Sequence, residues 1–463
     1  MFRQVIVGCV LLAASSACSA PPAESEREPS GSVVLYEGAR LIPGDGGPSI
    51  ESSTFLVADG TITSVGTSDE LSAPIGARRV DLTGQTVMPL LIDTHVHPGF
   101  QKGLTLAGEN YSRETIISDL NRALYFGVGV VLSQGIDKGD VADQIRAEQE
   151  AGTLGGARLR IAGRGLGAPN AGPGSTVFQG IAYEITTEED ARQSVRELAA
   201  RNVDVIKLWV DDRGGRGTRL SPSLYRAAID EGHALGLRVN AHVFYHEDAV
   251  DLVEAGIDGF AHLVRDKEMD DALVASIVEH GVYVMGNLSL MQRSTLLDLP
   301  PWLRDDDPLF QLIQEVVSPA VVRRMRDSFA DRDAATVADR LERYTILQRS
   351  LAKLNAAGAR LIVGPDTGLQ DHFFGLAAHR ELQAMVEAGM TPAQGIVAAT
   401  SRGAEYLGLD DMGSLAPGKR ADFLVLDANP LDDITNTRRI AVIYVKGVEV
   451  DRAALRATLL VME

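Results

Sequence analysis

From residue 32 onward the chain passes through short stretches in which apolar and polar residues alternate, cut by Gly and Asp: SVVLYEG, STFLVADG, TITSVG. A period of two places the apolar side chains on one face, the pattern of half-buried strands. The same texture returns near the C-terminus in ADFLVLDANP and AVIYVKGVEV. Between these ends, short apolar runs take turns with amphipathic stretches of helical period, which is how βα units read in sequence. Eight runs are candidate strands, at 87–93, 127–134, 158–163, 203–210, 238–244, 259–264, 282–287 and 360–365. Eight such units complete a (β/α)8 barrel. The expected fold is α/β: a barrel over 85–408 beside a small β-sandwich built from both termini, its parts being 32–84 and 409–463. Between the seventh and eighth runs lies a polar, helical insertion, 289–355, with Trp302 and charged runs such as RDDDP and ADRDAA. Insertions in βα loops sit at the catalytic face. A lid over a site and a solvated decoration are both compatible with this one.

The 463 residues exceed the roughly 250 that a barrel needs, so a second module has room. The net charge of −19 argues against nucleic acid, whose phosphates would be repelled, and says nothing about a substrate. The first twenty residues read as an export signal: Arg3, an apolar run at 5–14 too short to span a bilayer, then small residues. Cys9 and Cys18 both lie here, so the chain beyond has no cysteine and no internal disulfide. The run SSAC resembles a bacterial lipobox with Cys18 as the lipidated first residue, although Ser15 stands where leucine is usual. Ordinary cleavage near Ala17 or Ala20 is the alternative. Residues 21–31, PPAESEREPSG, read as a flexible tether. The expected location is outside the bacterial cytoplasm, in the periplasm or as a lipoprotein on the outer membrane.

The chemistry begins with LIDTHVH at the end of the first run. Side chains alternate along a strand, so His95 and His97 point to the same side and can grip one metal. Lys207 sits in the middle of the apolar run VDVIKLWV. A buried ammonium must find a partner or lose its charge. One outcome is an ion pair with a carboxylate. The other is a neutral amine that takes up carbon dioxide to become an anionic carbamate with two ligand oxygens. His242 in RVNAHVF and His262 in GFAHLV each close an apolar run, and Asp366 in LIVGPDTG closes the last. Each alone has a structural explanation: a packed histidine, or a turn-forming aspartate before Gly368.

Taken together, the residues lie on strands one, one, four, five, six and eight, near the strand ends where barrel enzymes keep their sites. This set resembles the binuclear, carboxylated-lysine subtype of the amidohydrolase superfamily. The stretch ATSRGAEYLGLDDMGSLAPGKRADFLVLDANPLDDI is similar to that superfamily's return into its β-sandwich. The resemblance runs from about residue 33 to 450 and is strongest to the imidazolonepropionase-like branch with its prolidase-type dipeptidases. It implies a TIM barrel in which His95, His97 and Asp366 hold one metal, His242 and His262 a second, and carboxylated Lys207 bridges both. It further implies a bridging hydroxide as nucleophile, available near neutral pH because metals acidify water, and Asp366 as the proton shuttle. The ligand set suits zinc and also admits iron, manganese or cobalt.

The resemblance has departures. Leu90 stands where the family commonly has glycine before the metal histidines. After the third strand, GRGLGAPNAGPGS offers Arg164 and Asn170 where dipeptidase relatives often place a histidine. Arg164, Tyr245 and His246 are the candidates for substrate contact. Arg213 and Arg216 are either carboxylate binders or loop residues. His379 and Glu381 occupy positions where the family often has His and Glu, and His233, His280 and His372 read as structural or surface. The implied reaction is hydrolysis of the amide bond of a small molecule, a dipeptide or N-acyl amino acid, with a cyclic amide or lactone as the second enzymatic reading. An oligomer is compatible with it. A non-catalytic metal-binding lipoprotein is the reading from another class; Asp366 argues against it, because a structural site closes its coordination and needs no base.

Overall fold

The computed structural model describes residues 33–172, 176–212 and 214–459. The export signal, the tether with Cys18, and Arg213 lie outside these residues. Eight parallel strands carry the middle of the chain: Leu91–Val96, Val128–Ser133, Arg158–Ile161, Val205–Trp209, Arg238–His242, Gly259–Phe260, Tyr283–Met285 and Arg360–Ile362. The first three form one sheet. The other five belong to a second sheet, with Leu166–Gly167 and Tyr183–Glu184 at its edge. Backbone hydrogen bonds cross both seams between the sheets. Asp204 N donates to Ile161 O (2.8 Å), Thr94 N to Val363 O (2.9 Å) and Thr367 N to His95 O (3.0 Å).

The pleat decides what faces where. On the fourth strand, Ile206 and Leu208 turn outward into the large apolar cluster with Tyr225, Ala228 and Ile229 of helix Pro222–Ala234. Val205 turns the other way, into a smaller cluster with Leu132, Ala261, Met285, Ile362 and Tyr406. Lys207 shares the parity of Val205 and is therefore directed inward, beside Asn240 of the fifth strand. Asn240 donates to Gln134 Oε1 (3.1 Å) and to Tyr406 Oη (2.8 Å), while its own Oδ1 is buried without a partner.

The termini build two further sheets. One runs Thr61–Thr67, Ser53–Ala58, Val33–Glu37, Arg78–Asp81; the other runs Arg40–Leu41, Thr86–Pro89, Phe423–Leu426, Ile440–Val445, Val448–Glu449. They share one apolar cluster, in which Tyr36 stacks on Phe55 at 4.8 Å and meets Phe423 edge-on at 5.2 Å.

Two expectations are corrected, and the open reading of the insertion narrows. The apolar run 87–93 is two strands: Thr86–Pro89 pairs with Phe423–Leu426 in a terminal sheet, and Leu91–Val96 enters the centre, with the break at Leu90. The C-terminal part is not all β, because Arg452–Leu459 is a helix whose Leu459 packs with Tyr125 and Phe126. The insertion is more than solvated surface. Helices Pro308–Val316 and Pro319–Asp327 bury Phe310, Ile313, Val322 and Met325 against Trp302 and Phe373. Its charged runs are helix starts: Asp307 accepts from Leu309 N ahead of Pro308, and Asp333 accepts from Thr336 N to begin helix Ala334–Ala356.

Candidate active site

The ends of the central strands converge on Asp366, which follows the eighth strand in a left-handed backbone conformation (φ 64°). Its Oδ1 lies 2.8 Å from His97 Nε2 and 3.4 Å from His95 Nε2. His95, His262 and Asp366 offer ligand atoms all within 4.8 Å of one another, each buried. The ring of His262 lies 5.0 Å from that of His95 and 4.3 Å from that of His242. His95 turns Nδ1 to Ala261 O (3.2 Å), which leaves Nε2 for the centre. The backbone here is braced by Asp93, which accepts from His95 N (3.0 Å) and Thr367 Oγ1 (2.8 Å).

Two expected histidine ligands lie outside the tightest group: His97, which pairs with Asp366, and His242. The Nε2 of His242 is bonded to Asp211 Oδ2 at 2.9 Å, which leaves Nδ1 as its other donor atom. Burial holds His95 and His262 well below the ordinary imidazole range and His242 down at about 4. The imidazoles are thus neutral, with lone pairs to give. For Asp366, burial pushes upward, but the contacts with His95 and His97 and the charge of Arg265 outweigh it, so the carboxylate stays ionised.

Lys207 is 1% exposed. Among the described residues no hydrogen bond or ion pair holds its Nζ, which lies 5.9 Å from the Trp209 ring centroid. The simple ion pair is therefore not what accommodates this lysine. Burial lowers it to about 7, against the opposing pull of Asp366 and with help from Arg265, so a large share is neutral amine near neutral pH. The room for it is made by glycine: a Cβ at Gly135 (φ 81°) would sit 2.8 Å from Lys207 Cγ and 2.7 Å from the Trp209 ring. The neutral imidazoles, the ionised Asp366 and the unpaired Lys207 form a donor set of the kind that divalent cations take.

The other candidates divide. Arg164 is spent on structure: it donates to Ile181 O and Ala182 O (3.2 Å) and stacks over Tyr183. Tyr245 donates to Asp212 Oδ1 (2.8 Å) and lies under Arg219, joining the loops after strands four and five. His246 begins helix His246–Glu254 and pairs with Asp270 (3.2 Å). Asn170 is exposed, and its backbone N donates to Glu184 Oε1 (3.1 Å). His379 is bonded to Thr437 Oγ1 (2.9 Å) and Phe126 O (2.8 Å), and Glu381 accepts from the N–H groups of Leu288 and Ser289, so both tie elements together. His233, His280 and His372 bond to Asp258, Ser276 O and Ser289 Oγ.

Two residues went unread in the sequence. Asp211, four positions after Lys207, orients His242. Arg265, three after His262, places its positive charge on Lys207, His242, His262 and Asp366. A wall of Phe100, Ile136, Phe178, Ile181 and Trp209 stands beside these groups, with Phe178 5.9 Å from His97.

The chain belongs to the amidohydrolase family, whose model matches residues 86–450. The imidazolonepropionase of Salinispora tropica is 25% identical over 403 residues, 81% of this chain and 86% of that one. An uncharacterised protein of Mycobacterium tuberculosis is 27% identical over 253 residues, 53% of this chain, and the match spans only 60% of that relative's length. The enamidase of Eubacterium barkeri is 25% identical over 214 residues, 45% of this chain and 49% of that one. Among solved structures, phenylurea hydrolase B is similar with a TM-score of 0.73 at 25% identity, over 93% of this chain and all of that one (100%). A Xaa-Pro dipeptidase with methionine in its active site gives 0.71 at 21%, over 90% and 100%. These likenesses imply a TIM barrel fold.

Proposed function

We propose that the protein hydrolyses the amide bond of a dipeptide or N-acyl amino acid at two divalent metals, zinc first among them. In this reading the eight central strands form a closed barrel and the terminal sheets form a β-sandwich beside it. The observation that carries it is the convergence of His95, His262 and Asp366 near an unpaired, buried Lys207. His95, His97 and Asp366 would hold one metal, His242 and His262 the other. Lys207 would be shared between them as a carbamate: its neutral amine adds carbon dioxide and gives up one proton. When bound, the metals polarise the substrate carbonyl and acidify a water molecule.

The protein side of the reaction follows from the residues. Asp366, held ionised, accepts the proton of the attacking water and returns it to the leaving amine. Asp211 fixes the orientation of His242 through its 2.9 Å bond. Arg265 adds positive charge near Lys207, His242, His262 and Asp366, where a substrate carboxylate would be attracted. The wall of Phe100, Phe178 and Trp209 favours an apolar acyl group. Export through the N-terminal segment, with an anchor at Cys18, completes the reading.

The test is a substrate panel with the metal-loaded, full-length protein: free and blocked dipeptides, N-acyl amino acids, lactones and hydantoin-like rings. The expected result is turnover of N-acyl amino acids or dipeptides with an apolar acyl side, and poor turnover once the carboxylate is amidated. Turnover confined to lactones or rings overturns the proposal.

A further inference from the structure

A cleft of about 820 Å³ opens between the insertion, the helix Leu376–Glu387 and the C-terminal segment around Arg438. Its size suits a small organic molecule. Arg380, Arg438 and Trp302 line it. Arg380 is only 4% exposed, and its guanidinium lies 3.8 Å from the Trp302 ring centroid. Its Nη2 donates to Ser289 O (3.3 Å), while Nε and Nη1 are buried with no acceptor. Arg438 donates through Nη2 to Gln383 Oε1 (2.6 Å) and His379 O (3.3 Å), but its Nε is buried and unbonded. Trp302 Nε1 is buried and unbonded as well. Four N–H donors thus border one cleft without a protein acceptor.

Four other arginines with an unbonded buried nitrogen have a carboxylate at hand. Arg146 and Arg160 lie 3.5 and 3.0 Å from Asp204, Arg293 lies 2.6 Å from Asp371, and Arg420 lies 2.8 Å from Asp422. Arg380 and Arg438 have no ion pair among the described residues. The acids that line the cleft are engaged by neutral donors. Asp307 accepts from Leu309 N (2.8 Å), and Glu315 accepts from Tyr125 Oη. Glu387 accepts from Gln383 (2.8 Å), and Asp427 from Gln85 (3.2 Å). Burial together with the neighbouring charge of Arg380 brings Arg438 down to about 10, the sign of two cations sharing a poorly solvated space. Leaving such donors unpaired is costly, and an anion with several oxygens would relieve the cost.

We propose that this cleft binds a small organic oxoanion, a carboxylate or a phosphate monoester. Its oxygens are drawn by the guanidinium charge of Arg380 and Arg438 and take the buried N–H groups of these residues and of Trp302 once the side chains turn toward the cleft, and its organic part lies on Leu309, Leu312 and Ile440. The site is independent of the metal centre and of the substrate assigned above.

Benzoate and phenyl phosphate are the probes, added separately to the full-length protein and followed by calorimetry and by tryptophan fluorescence. The chain has two tryptophans, Trp209 and Trp302, so Trp302→Phe identifies the reporter. At least one probe should bind saturably, with quenching that Trp302→Phe removes. Arg438→Gln should weaken that binding about ten- to a hundredfold while circular dichroism stays that of the parent. The tighter probe separates carboxylate from phosphate recognition. Arg380→Gln truncates a side chain buried in the packing, so Arg438→Gln carries the test. No saturable binding of either probe, or binding that Arg438→Gln leaves unchanged because it occurs at the metal centre, overturns the proposal.

Discussion

Asp366→Asn is expected to keep the fold and to lower kcat by about 10²–10⁴, the usual worth of a positioned acid–base group. The backbone should not object. Asp366 sits at φ 64°, in the left-handed region that asparagine tolerates well. The amide oxygen can take the place of Oδ1 at 2.8 Å from His97 Nε2, so the position keeps an oxygen donor. What disappears is the negative charge and the ability to take a proton from water and hand it to the leaving amine. At 1.36 kcal/mol per decade, the loss corresponds to about 3–5 kcal/mol of barrier. The assay measures kcat and KM on the best substrate of the panel, with metal content and thermal unfolding from the same sample. A shuttle role lowers kcat and kcat/KM together in protein that still holds metal. Folded, fully metallated Asp366→Asn protein with near wild-type kcat refutes the shuttle.

Three further outcomes are expected. Lys207→Ala should lose metal and activity, and formate or acetate should restore part of both; full metal content in Lys207→Ala contradicts the carbamate. Since burial brings Lys207 down to about 7, its amine is neutral above that pH and protonated below it, so metal reconstitution of stripped enzyme should be faster at pH 8 than at pH 6 and should respond to bicarbonate. Equal rates at both pH values, indifferent to bicarbonate, count against it. Cys18→Ala should move the protein from the membrane fraction to the soluble periplasmic fraction; identical partitioning of the two forms removes the anchor.

The candidate metal ligands were legible because each is chemically out of place. Lys207 is a charge in an apolar run, and His95, His97, His242, His262 and Asp366 punctuate strand ends at the right parity and order. The rest was hidden for identifiable reasons. Residues 87–93 are evenly apolar, so periodicity cannot show that one strand ends and another begins at Leu90; Pro89, which cannot donate to a ladder, was the available signal. Phe310 and Ile313 are set among charges that turn out to be helix caps, and the buried face of the insertion is diluted by them. Arg164 is spent on two backbone carbonyls, and only the path of residues 181–183 reveals this. Asp211 and Arg265 are ordinary loop residues in sequence. They become functional candidates only when the fold sets Asp211 against His242 and Arg265 near the converging strand ends.

The central claim is that a metal centre built on these strands cleaves C–N bonds. Its most direct test is elemental analysis of the purified full-length protein, repeated after chelation and after metal is returned, with amide hydrolysis measured at each stage. The account predicts about two divalent metals per chain, loss of hydrolysis when they are removed, and recovery on their return. Hydrolysis that persists in metal-free protein, or protein that takes up no metal under any loading condition, contradicts it.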